Sequence, residues 1–289
     1  EENFEISKAE ENQYNYICYI ESIKCHHNEL AQYFSSKCSD DITVPSIKFY
    51  LAYYNFDFLQ FPDKINQINL FNIFCVKDYF IPAQILIKNV NLSKESLVLY
   101  ESTKRGNVDI VKLLLENSQI DVNFKKFDKK EDCALIEAIK NEHYDIVKLL
   151  LSHPKININQ KYKIKSRLGN QNDIPALTFA ILNKNVKIAK LLIERKEIKI
   201  NDESHFNLNF ETEEKKIGFL SDAIRVNSIE IVQLLLNHPK IDVNKNEYIK
   251  KDHNATLLTP LYIAIKNNQN EIAKLLINHK KININNYSI

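Results

Sequence analysis

Glycine is scarce in this sequence, and its scarcity excludes one large class of binding site. Of 289 residues only Gly106, Gly169 and Gly218 are glycine, and no two of them lie close together. Loops that hold the phosphates of nucleotides or dinucleotide cofactors need clustered glycines, because the backbone must approach the phosphate closely. The sequence therefore predicts no glycine-rich phosphate loop, and we expect no cofactor.

Paired cysteines and long apolar runs are missing too. The five cysteines are an odd number and none forms a Cys-x-x-Cys pair, so the sequence does not indicate a disulfide framework. No uninterrupted apolar run reaches the roughly 18 residues that a membrane helix needs. No apolar stretch typical of a secretory signal opens the chain. We therefore expect a cytoplasmic protein with no membrane span.

The sequence also lacks an excess of charge of one sign. Lysine and arginine total 39, aspartate and glutamate total 37, and the formal net charge is +2. Proteins dedicated to nucleic acids usually carry a clear basic excess. A basic segment at 160–175 is followed by an acidic one at 201–216, which would repel phosphate. We expect no nucleic-acid partner. The two segments are interpreted as solvated, mobile hairpins or as loops that complement the charge of a protein partner.

What the sequence does contain is one motif that occurs five times. An isoleucine opens the leucine-rich run of each copy, and these anchors are Ile110, Ile146, Ile188, Ile231 and Ile272. A small residue always stands eight positions before the anchor, and an isoleucine always stands ten positions after it. All variation in length falls between the ending of one copy and the small residue of the next. A rigid unit joined by elastic loops produces this pattern.

Each copy predicts two short helices and an extended ending. In the segment 134–153 the apolar residues recur at helical spacing on both sides of a polar turn. Gly106 occupies that turn in the first copy, and Glu142, which tolerates left-handed backbone angles less readily, occupies it in the second. His153 and Pro154 then end the second helix, because proline disfavours helix before it.

The segment TPLYIAIKNNQNEIAKLLI, residues 259–277, resembles the ankyrin repeat signature TPLHxAAxxGHxxIVxLLL. The register covers copies at about 97–123, 133–159, 175–201, 218–244 and 259–285. The resemblance implies a mainly α fold for residues 93–289: an ankyrin-type solenoid of about five repeats with long hairpin loops. It also implies that the concave face, formed by the first helices and the hairpin tips, binds a protein partner. The copies depart from the family in their longer loops, and Thr-Pro occurs in one copy only.

The resemblance further implies which positions of each first helix face a partner. They are Glu101, Lys104, Arg105, Glu137, Lys140, Asn141, Phe179, Leu182, Asn183, Asp222, Arg225, Val226, Ile263, Lys266 and Asn267. Phe179 and Leu182 form a hypothetical apolar anchor within a polar surface. The alternative is that either side chain packs beneath a neighbouring loop.

Residues 1–92 do not share the repeat register cleanly. We predict strands at 14–20 and 42–44 and helices at about 46–56, 67–75 and 78–88. The sequence His26, Leu30-Ala31 and Tyr33-Phe34, followed by Asp78-Tyr79-Phe80-Ile81-Pro82, resembles parts of a BTB/POZ domain, shortened at its start. A helical cap on the first repeat, or a degenerate ankyrin repeat, is the alternative.

The BTB/POZ resemblance implies self-association or recruitment of a cullin-type ubiquitin ligase, for which the chain would be a substrate adaptor. The rival interpretation is a structural or membrane-skeleton scaffold without a ligase link. Neither is an enzyme. Cys25, His26, His27 and Cys38 have the residue types of zinc ligands, but their spacing is not that of a common zinc site. Cys25 and His26 as a nucleophile pair are weaker still, because neighbours on a strand point to opposite faces. We therefore expect no metal.

Overall fold

The structure, a computed structural model, describes residues 8–25, 28–37, 67–88, 90–92, 97–127, 130–165, 171–209, 213–251 and 254–285. The chain divides into two compact units. One consists of residues 1–71 and 81–90, and the other of residues 72–80 and 91–289.

The first unit begins with two helices, α1 (Lys8–Lys24) and α2 (Asn28–Lys37). The strand predicted at 14–20 is therefore wrong, because this segment lies inside α1. Its aromatic and β-branched residues favour a strand only weakly, and tertiary packing overrides such a preference. Among the residues of α1 whose burial is described, Tyr19 and Ser22 are buried. They are three positions apart, as residues on one helical face are. The predicted strand at 42–44 and helix at 46–56 lie outside the described residues.

Helices α3 (Gln67–Val76) and α4 (Phe80–Leu86) confirm the two helices predicted at 67–75 and 78–88. Five further helix pairs follow within residues 97–285, and we number them repeats 1 to 5. They are α5 (Leu97–Arg105) with α6 (Val108–Leu115), α7 (Ala134–Lys140) with α8 (Tyr144–Ser152), α9 (Ala176–Leu182) with α10 (Val186–Ile193), α11 (Phe219–Arg225) with α12 (Ile229–Leu236), and α13 (Pro260–Lys266) with α14 (Asn270–Ile277). First helices contact first helices of the next repeat, and second helices contact second helices.

The turn inside each repeat has one residue in the left-handed conformation. At Gly106 φ is 80°, and at Glu142 and Lys184 it is 58° and 53°. The next residue donates its backbone N–H to the carbonyl of the small residue, as His143 does to Ala138 over 2.9 Å. A Cβ at Gly106 would lie 3.0 Å from Cε1 of His143. Repeat 1 therefore favours glycine for both conformation and space, whereas repeats 2 and 3 accept a side chain at some cost.

The segments between repeats form β-hairpins that pair into one eight-stranded antiparallel sheet in chain order. The strands are β1 (Lys125–Phe127), β2 (Lys130–Cys133), β3 (Lys161–Lys165), β4 (Gln171–Pro175), β5 (Glu203–Asn209), β6 (Glu213–Gly218), β7 (Glu247–Lys251) and β8 (Asn254–Leu258). Neighbouring hairpins bond to each other at β2–β3, β4–β5 and β6–β7. The sequence predicted the hairpins but not their pairing with one another. In their described residues, the basic loop at 160–175 and the acidic loop at 201–216 are parts of one sheet.

The core of residues 97–285 follows the repeated positions. All five anchor isoleucines are buried, as are the small residues eight positions before them and the leucines four positions after them. These residues lie between the two helices of a repeat and against its neighbours. The fixed offsets of the sequence therefore mark the shared apolar interior, which no single helix pair encloses alone.

The turn after α3 repeats this geometry. Asp78 has a φ of 62°, and the backbone N–H of Tyr79 donates to Phe74 over 2.9 Å, as the equivalent residues do in repeats 1 to 5. Leu92, which is buried, stands at the position of the isoleucine that ends each copy. The Asn107 side chain also donates to the carbonyl of Cys75 over 3.0 Å, which is the bond that Gln269 makes to Ile224 between repeats 5 and 4. These features are those of a degenerate repeat, the alternative to a BTB/POZ-like end of this region.

Repeat 5 leaves apolar side chains uncovered. Ile265 is 58% exposed, whereas Ile224 at the same position of repeat 4 is fully buried. Tyr262, Ile277 and Ile284 are exposed in the same way. In repeats 2 and 3 the residues at these positions are buried by the repeat that follows. Among the described residues no helix pair follows repeat 5, and the side of repeat 5 that carries these side chains is exposed.

Candidate partner-binding face

The fifteen predicted contact residues lie at three equivalent positions of each first helix or just after its end. We call this set the first-helix row; it consists of Glu101, Lys104, Arg105, Glu137, Lys140, Asn141, Phe179, Leu182, Asn183, Asp222, Arg225, Val226, Ile263, Lys266 and Asn267. The sheet runs beside it, and side chains from β1, β2, β3 and β7 bond or pack against row residues.

Eight members of the row are exposed. They are Lys104, Arg105, Asn141, Leu182, Asn183, Arg225, Lys266 and Asn267. Four members are half-buried: Glu101, Lys140, Phe179 and Val226. A partner that lies along the first helices reaches these twelve side chains.

Glu137, Asp222 and Ile263 are buried, so their assignment as partner contacts is corrected. They share the first of the three row positions, which in this chain lies beneath side chains of the sheet and of the neighbouring repeats. Glu137 lies under Lys140, and Asp222 lies beside Thr178 of the preceding repeat. An exposed surface position was predicted because the row was transferred by register alone, without regard to the long hairpins.

Lys140 connects two buried carboxylates. Its Nζ lies 2.9 Å from Oδ2 of Asp132 on β2 and 3.1 Å from Oε2 of Glu137. Burial raises the pKa of Asp132, against the hydrogen bond and charge of Lys140. Burial also disfavours the charged form of Glu137, but Lys140 and Asn141 hold the pKa of Glu137 below its usual value. The cluster therefore keeps Lys140 charged and fixed at the surface of the row.

A second acidic group lies around the first helix of repeat 4. Arg225 binds Glu247 of β7 through two bonds, Nη2 to Oε1 over 2.6 Å and Nε to Oε2 over 3.0 Å. Asp222 accepts a longer bond from Thr178, whose hydroxyl also lies 2.9 Å from Ser204. Burial, together with the charge of Glu247, raises the pKa of Asp222 to about 8. Asp222 is therefore mostly protonated at neutral pH, and Glu247 carries the charge that Arg225 neutralises.

The centre of the row is apolar. Leu182 is 48% exposed. Phe179, one helical turn earlier, packs edge-on against Tyr162 of β3 with 5.6 Å between ring centroids. Phe179 thus packs against a strand of the preceding hairpin, whereas Leu182 faces solvent, and the apolar anchor stays a prediction. Lys140 covers the Tyr162 ring at 4.9 Å.

Asparagines at the end of each copy bind the repeats together. Asn123 donates its Nδ2 to the carbonyl of Lys155 over 2.6 Å and accepts from the backbone N–H of Asn157 over 2.7 Å. Asn159, Asn201 and Asn244 make the same two bonds to the following repeat. We call these four residues the asparagine ladder. The ladder was not predicted from the sequence, although an asparagine stands thirteen positions after each anchor and this constant spacing was a signal for it.

A family model described as ankyrin repeats, three copies, matches residues 71–162 and 206–288, more than half of the chain. The chain belongs to the ankyrin repeat family. The crystal structure of an ankyrin repeat domain from Acinetobacter baumannii AYE is similar to it, with 22% sequence identity and a TM-score of 0.53. The alignment covers 72% of this chain and 96% of that one, and at this identity it shows the fold alone. No curated protein matches the sequence significantly.

The ankyrin repeat match begins at residue 71, inside the region for which the sequence suggested a BTB/POZ-like domain, and the comparisons give that resemblance no support. His26, His27 and Cys38 lie outside the described residues, so the zinc alternative is untested there. Cys25 lies at the end of α1, exposed, and Cys75 and Cys133 are buried. Burial raises the pKa of the Cys133 thiol to about 12, which keeps it protonated and unreactive.

Among the described residues no group of His, Cys, Asp and Glu is arranged to hold a metal ion. In the same part of the chain, no helix has the length and apolarity that crossing a membrane requires.

Proposed function

We propose that the protein is a protein-binding module and that the first-helix row, on the concave face of an ankyrin solenoid, contacts its partner. The observation that carries this proposal is the row itself: repeats 1 to 5 place side chains at equivalent positions, and twelve of them reach solvent. Ankyrin repeats are generally non-enzymatic interaction modules, which supports a binding role for this chain.

The experiment compares two triple variants as baits in affinity capture with quantitative mass spectrometry. The row variant carries Lys104→Glu, Leu182→Glu and Lys266→Glu. The matched control carries Lys148→Glu, Val108→Glu and Lys274→Glu, at exposed positions of the second helices. We expect the row variant to lose proteins that the unchanged chain and the control both retain. Equal capture by all three baits contradicts a contact through the row.

A more specific hypothesis, that the chain is a substrate adaptor, rests on the resemblance of its N-terminal residues to a BTB/POZ domain. In it, residues 1–92 self-associate or recruit a cullin-type ubiquitin ligase while residues 93–289 select the substrate. The scaffold without a ligase link is the alternative, and the helix at 14–20 together with the repeat-like turn at Asp78 supports it. We propose accordingly that the turn at Asp78 and the buried Leu92 belong to a degenerate repeat. Mixing the full chain with a purified cullin N-terminal domain separates the two hypotheses: the adaptor forms a complex in light scattering and the scaffold does not.

A further inference from the structure

One position near the end of the first helices follows a pattern across the repeats. Six residues before each anchor stand Lys104, Lys140, Leu182, Arg225 and Lys266. Two cationic repeats thus lie on each side of one repeat that carries a leucine. The turns and helix contacts are the same in each repeat, so these five side chains form one line. Packed helices lie about 10 Å apart, and the line is therefore about 40 Å long.

The carboxylates along this line are hidden, and the cations are not. The side chain of Lys140 is 31% exposed, whereas its partners Asp132 and Glu137 are 6% and 7% exposed. Arg225 is 40% exposed and Glu247 is 1% exposed. Glu101 is bound to Lys126 and is the less exposed of the two. In the adjoining turns Glu142 and Lys184 offset each other. Although the whole chain is nearly neutral, the row presents positive charge to solvent.

The protonation of Asp222 strengthens this asymmetry. The carboxyl group is buried beside the Arg225–Glu247 pair, and its pKa is raised to about 8 by burial and by Glu247. It therefore contributes little negative charge at neutral pH. Arg105, which follows Lys104 at the end of α5, adds a further exposed cation.

The rings of Tyr100 and Tyr162 beside the row are buried and not open for base stacking. Lysines lie over the rings of Tyr100, Tyr162 and Tyr262, at 5.1, 4.9 and 5.8 Å from the ring centroids. Proteins that bind single-stranded nucleic acids need free aromatic faces and a positive groove that tracks the backbone. Here the middle of the line is the aliphatic side chain of Leu182, which offers nothing to a phosphate. The pattern fits a peptide better than a nucleic acid.

From this we propose that the row binds an extended acidic segment of a protein, with an apolar side chain at its centre that contacts Leu182. This inference rests on the proposed function and names the chemistry of the partner. In the extended polyproline II conformation a chain rises about 3.1 Å per residue with three residues per turn, so every third side chain lies on the same face and matches repeats about 10 Å apart. The segment is then about 13 residues long, with acidic residues at the first, fourth, tenth and thirteenth positions and a leucine at the seventh.

The test measures binding of such a peptide, otherwise serine and glycine and fluorescently labelled, to the full chain by anisotropy. Three further peptides are the controls: one with serine in place of the central leucine, one with the four acidic residues moved together, and one with lysine in place of the acids. We expect the patterned peptide to bind most tightly, with an affinity that falls as salt is added. The lysine peptide should not bind.

The protein variants locate the contact. Leu182→Ser and the pair Lys104→Glu with Lys266→Glu should each weaken binding about tenfold, which corresponds to about 1.4 kcal/mol. The control pair Lys148→Glu with Lys274→Glu should stay within about twofold. All these positions are exposed, and an unchanged thermal midpoint shows that each variant folds.

No binding of the patterned peptide at about 1 mM, or equal binding of the peptide whose acids are moved together, overturns the proposal. Tighter binding of a single-stranded RNA, weakened by the same row variants, assigns the row to nucleic acid instead. If the peptides fail while the row variant still loses captured proteins, the proposed function stands and only this partner chemistry falls.

Discussion

Single side chains in this protein act mainly across repeat boundaries, and the asparagine ladder is the clearest case. Asn159 donates to the carbonyl of Glu197 over 2.8 Å and accepts from the N–H of Lys199 over 2.8 Å. The amide can do both at once because its oxygen accepts and its nitrogen donates. Each ladder residue therefore satisfies two backbone groups of the following repeat.

We expect Asn159→Ala to lower the free energy of unfolding by about 1–3 kcal/mol, because two backbone groups lose their partner. Asn159→Asp should cost less than Ala, since the acceptor remains. Asn183→Ala, at an exposed position of the row, is the control and should change stability by less than about 0.5 kcal/mol. Urea unfolding of the three variants checks this, and an equal loss for Asn159→Ala and the control contradicts the role of the ladder.

The buried Asp222 gives stability a pH dependence of known sign. Its pKa is about 8 in the folded protein, against an ordinary value of 3.8 for an aspartate in the unfolded chain. Between these values the folded state retains a proton that the unfolded state has lost, so stability falls as pH rises through this range. The slope is at most about 1.4 kcal/mol per pH unit.

We expect Asp222→Asn to remove this part of the pH dependence. The variant should gain stability over the unchanged chain steadily from about pH 5 to about pH 8. Chemical denaturation at several pH values measures both. The exposed Asn183→Ala is the control, because it changes no ionisable group, and its curve should run parallel to that of the unchanged chain. A parallel curve for Asp222→Asn as well would contradict the raised pKa of Asp222.

At the scale of helices and strands, the second helices carry the shared core. Leu150 of α8 is fully buried, whereas Leu182 at the end of α9 is 48% exposed. Replacing a buried leucine removes contacts and leaves a cavity, whereas replacing an exposed one does neither. The two leucines therefore separate packing from surface function.

We expect Leu150→Ala to reduce the free energy of unfolding by about 2–5 kcal/mol. Leu182→Ala should change it by less than about 0.5 kcal/mol while still weakening partner binding. Thermal and urea unfolding give the first comparison, and anisotropy gives the second. A similar loss of stability for both variants is the result that would sink this distinction.

The helix pairs were predictable because the motif has helical spacing and two invariant offsets, and residues such as Ile146 and Ala138 are buried as expected. The helix over residues 14–20 was not predictable, because the local preference for a strand is a weak guide where packing decides. The pairing between hairpins was hidden too, since strands such as β3 and β7 are rich in lysine and carry little apolar signal. For the same reason, assigning the row positions from the repeat register alone could not show that Glu137 and Asp222 are buried beside the sheet.

At the scale of the whole array, repeats 4 and 5 differ in how well their apolar side chains are covered by a neighbouring repeat. Ile224 of repeat 4 is buried by repeat 5, and Ile265 of repeat 5 has no described neighbour over it. In stacked repeats, stability is approximately a sum of repeat and interface terms. Within the described residues, repeat 5 has one such interface and repeats 2 to 4 have two.

We expect hydrogen exchange to be faster in α13 and α14 than in α9 and α10, because repeat 5 can open without the others. Ile265→Lys should cost less than about 0.5 kcal/mol of stability, whereas Ile224→Lys should prevent folding of repeats 4 and 5. Exchange followed by mass spectrometry, with urea unfolding of both variants, provides the comparison. Uniform protection across all five repeats would contradict independent opening.

The pairing of the hairpins has a mechanical consequence. Among the described residues, β6 and β7 meet through four residue pairs and β2 and β3 through two, whereas β4 and β5 meet through Asp173 and His205. We expect the sheet to bend most easily at β4–β5, because fewest strand pairs resist bending there. The helix that carries Leu182 follows β4 directly. A partner that contacts the cations on both sides of Leu182 would therefore bridge this weakly paired step and restrain its bending.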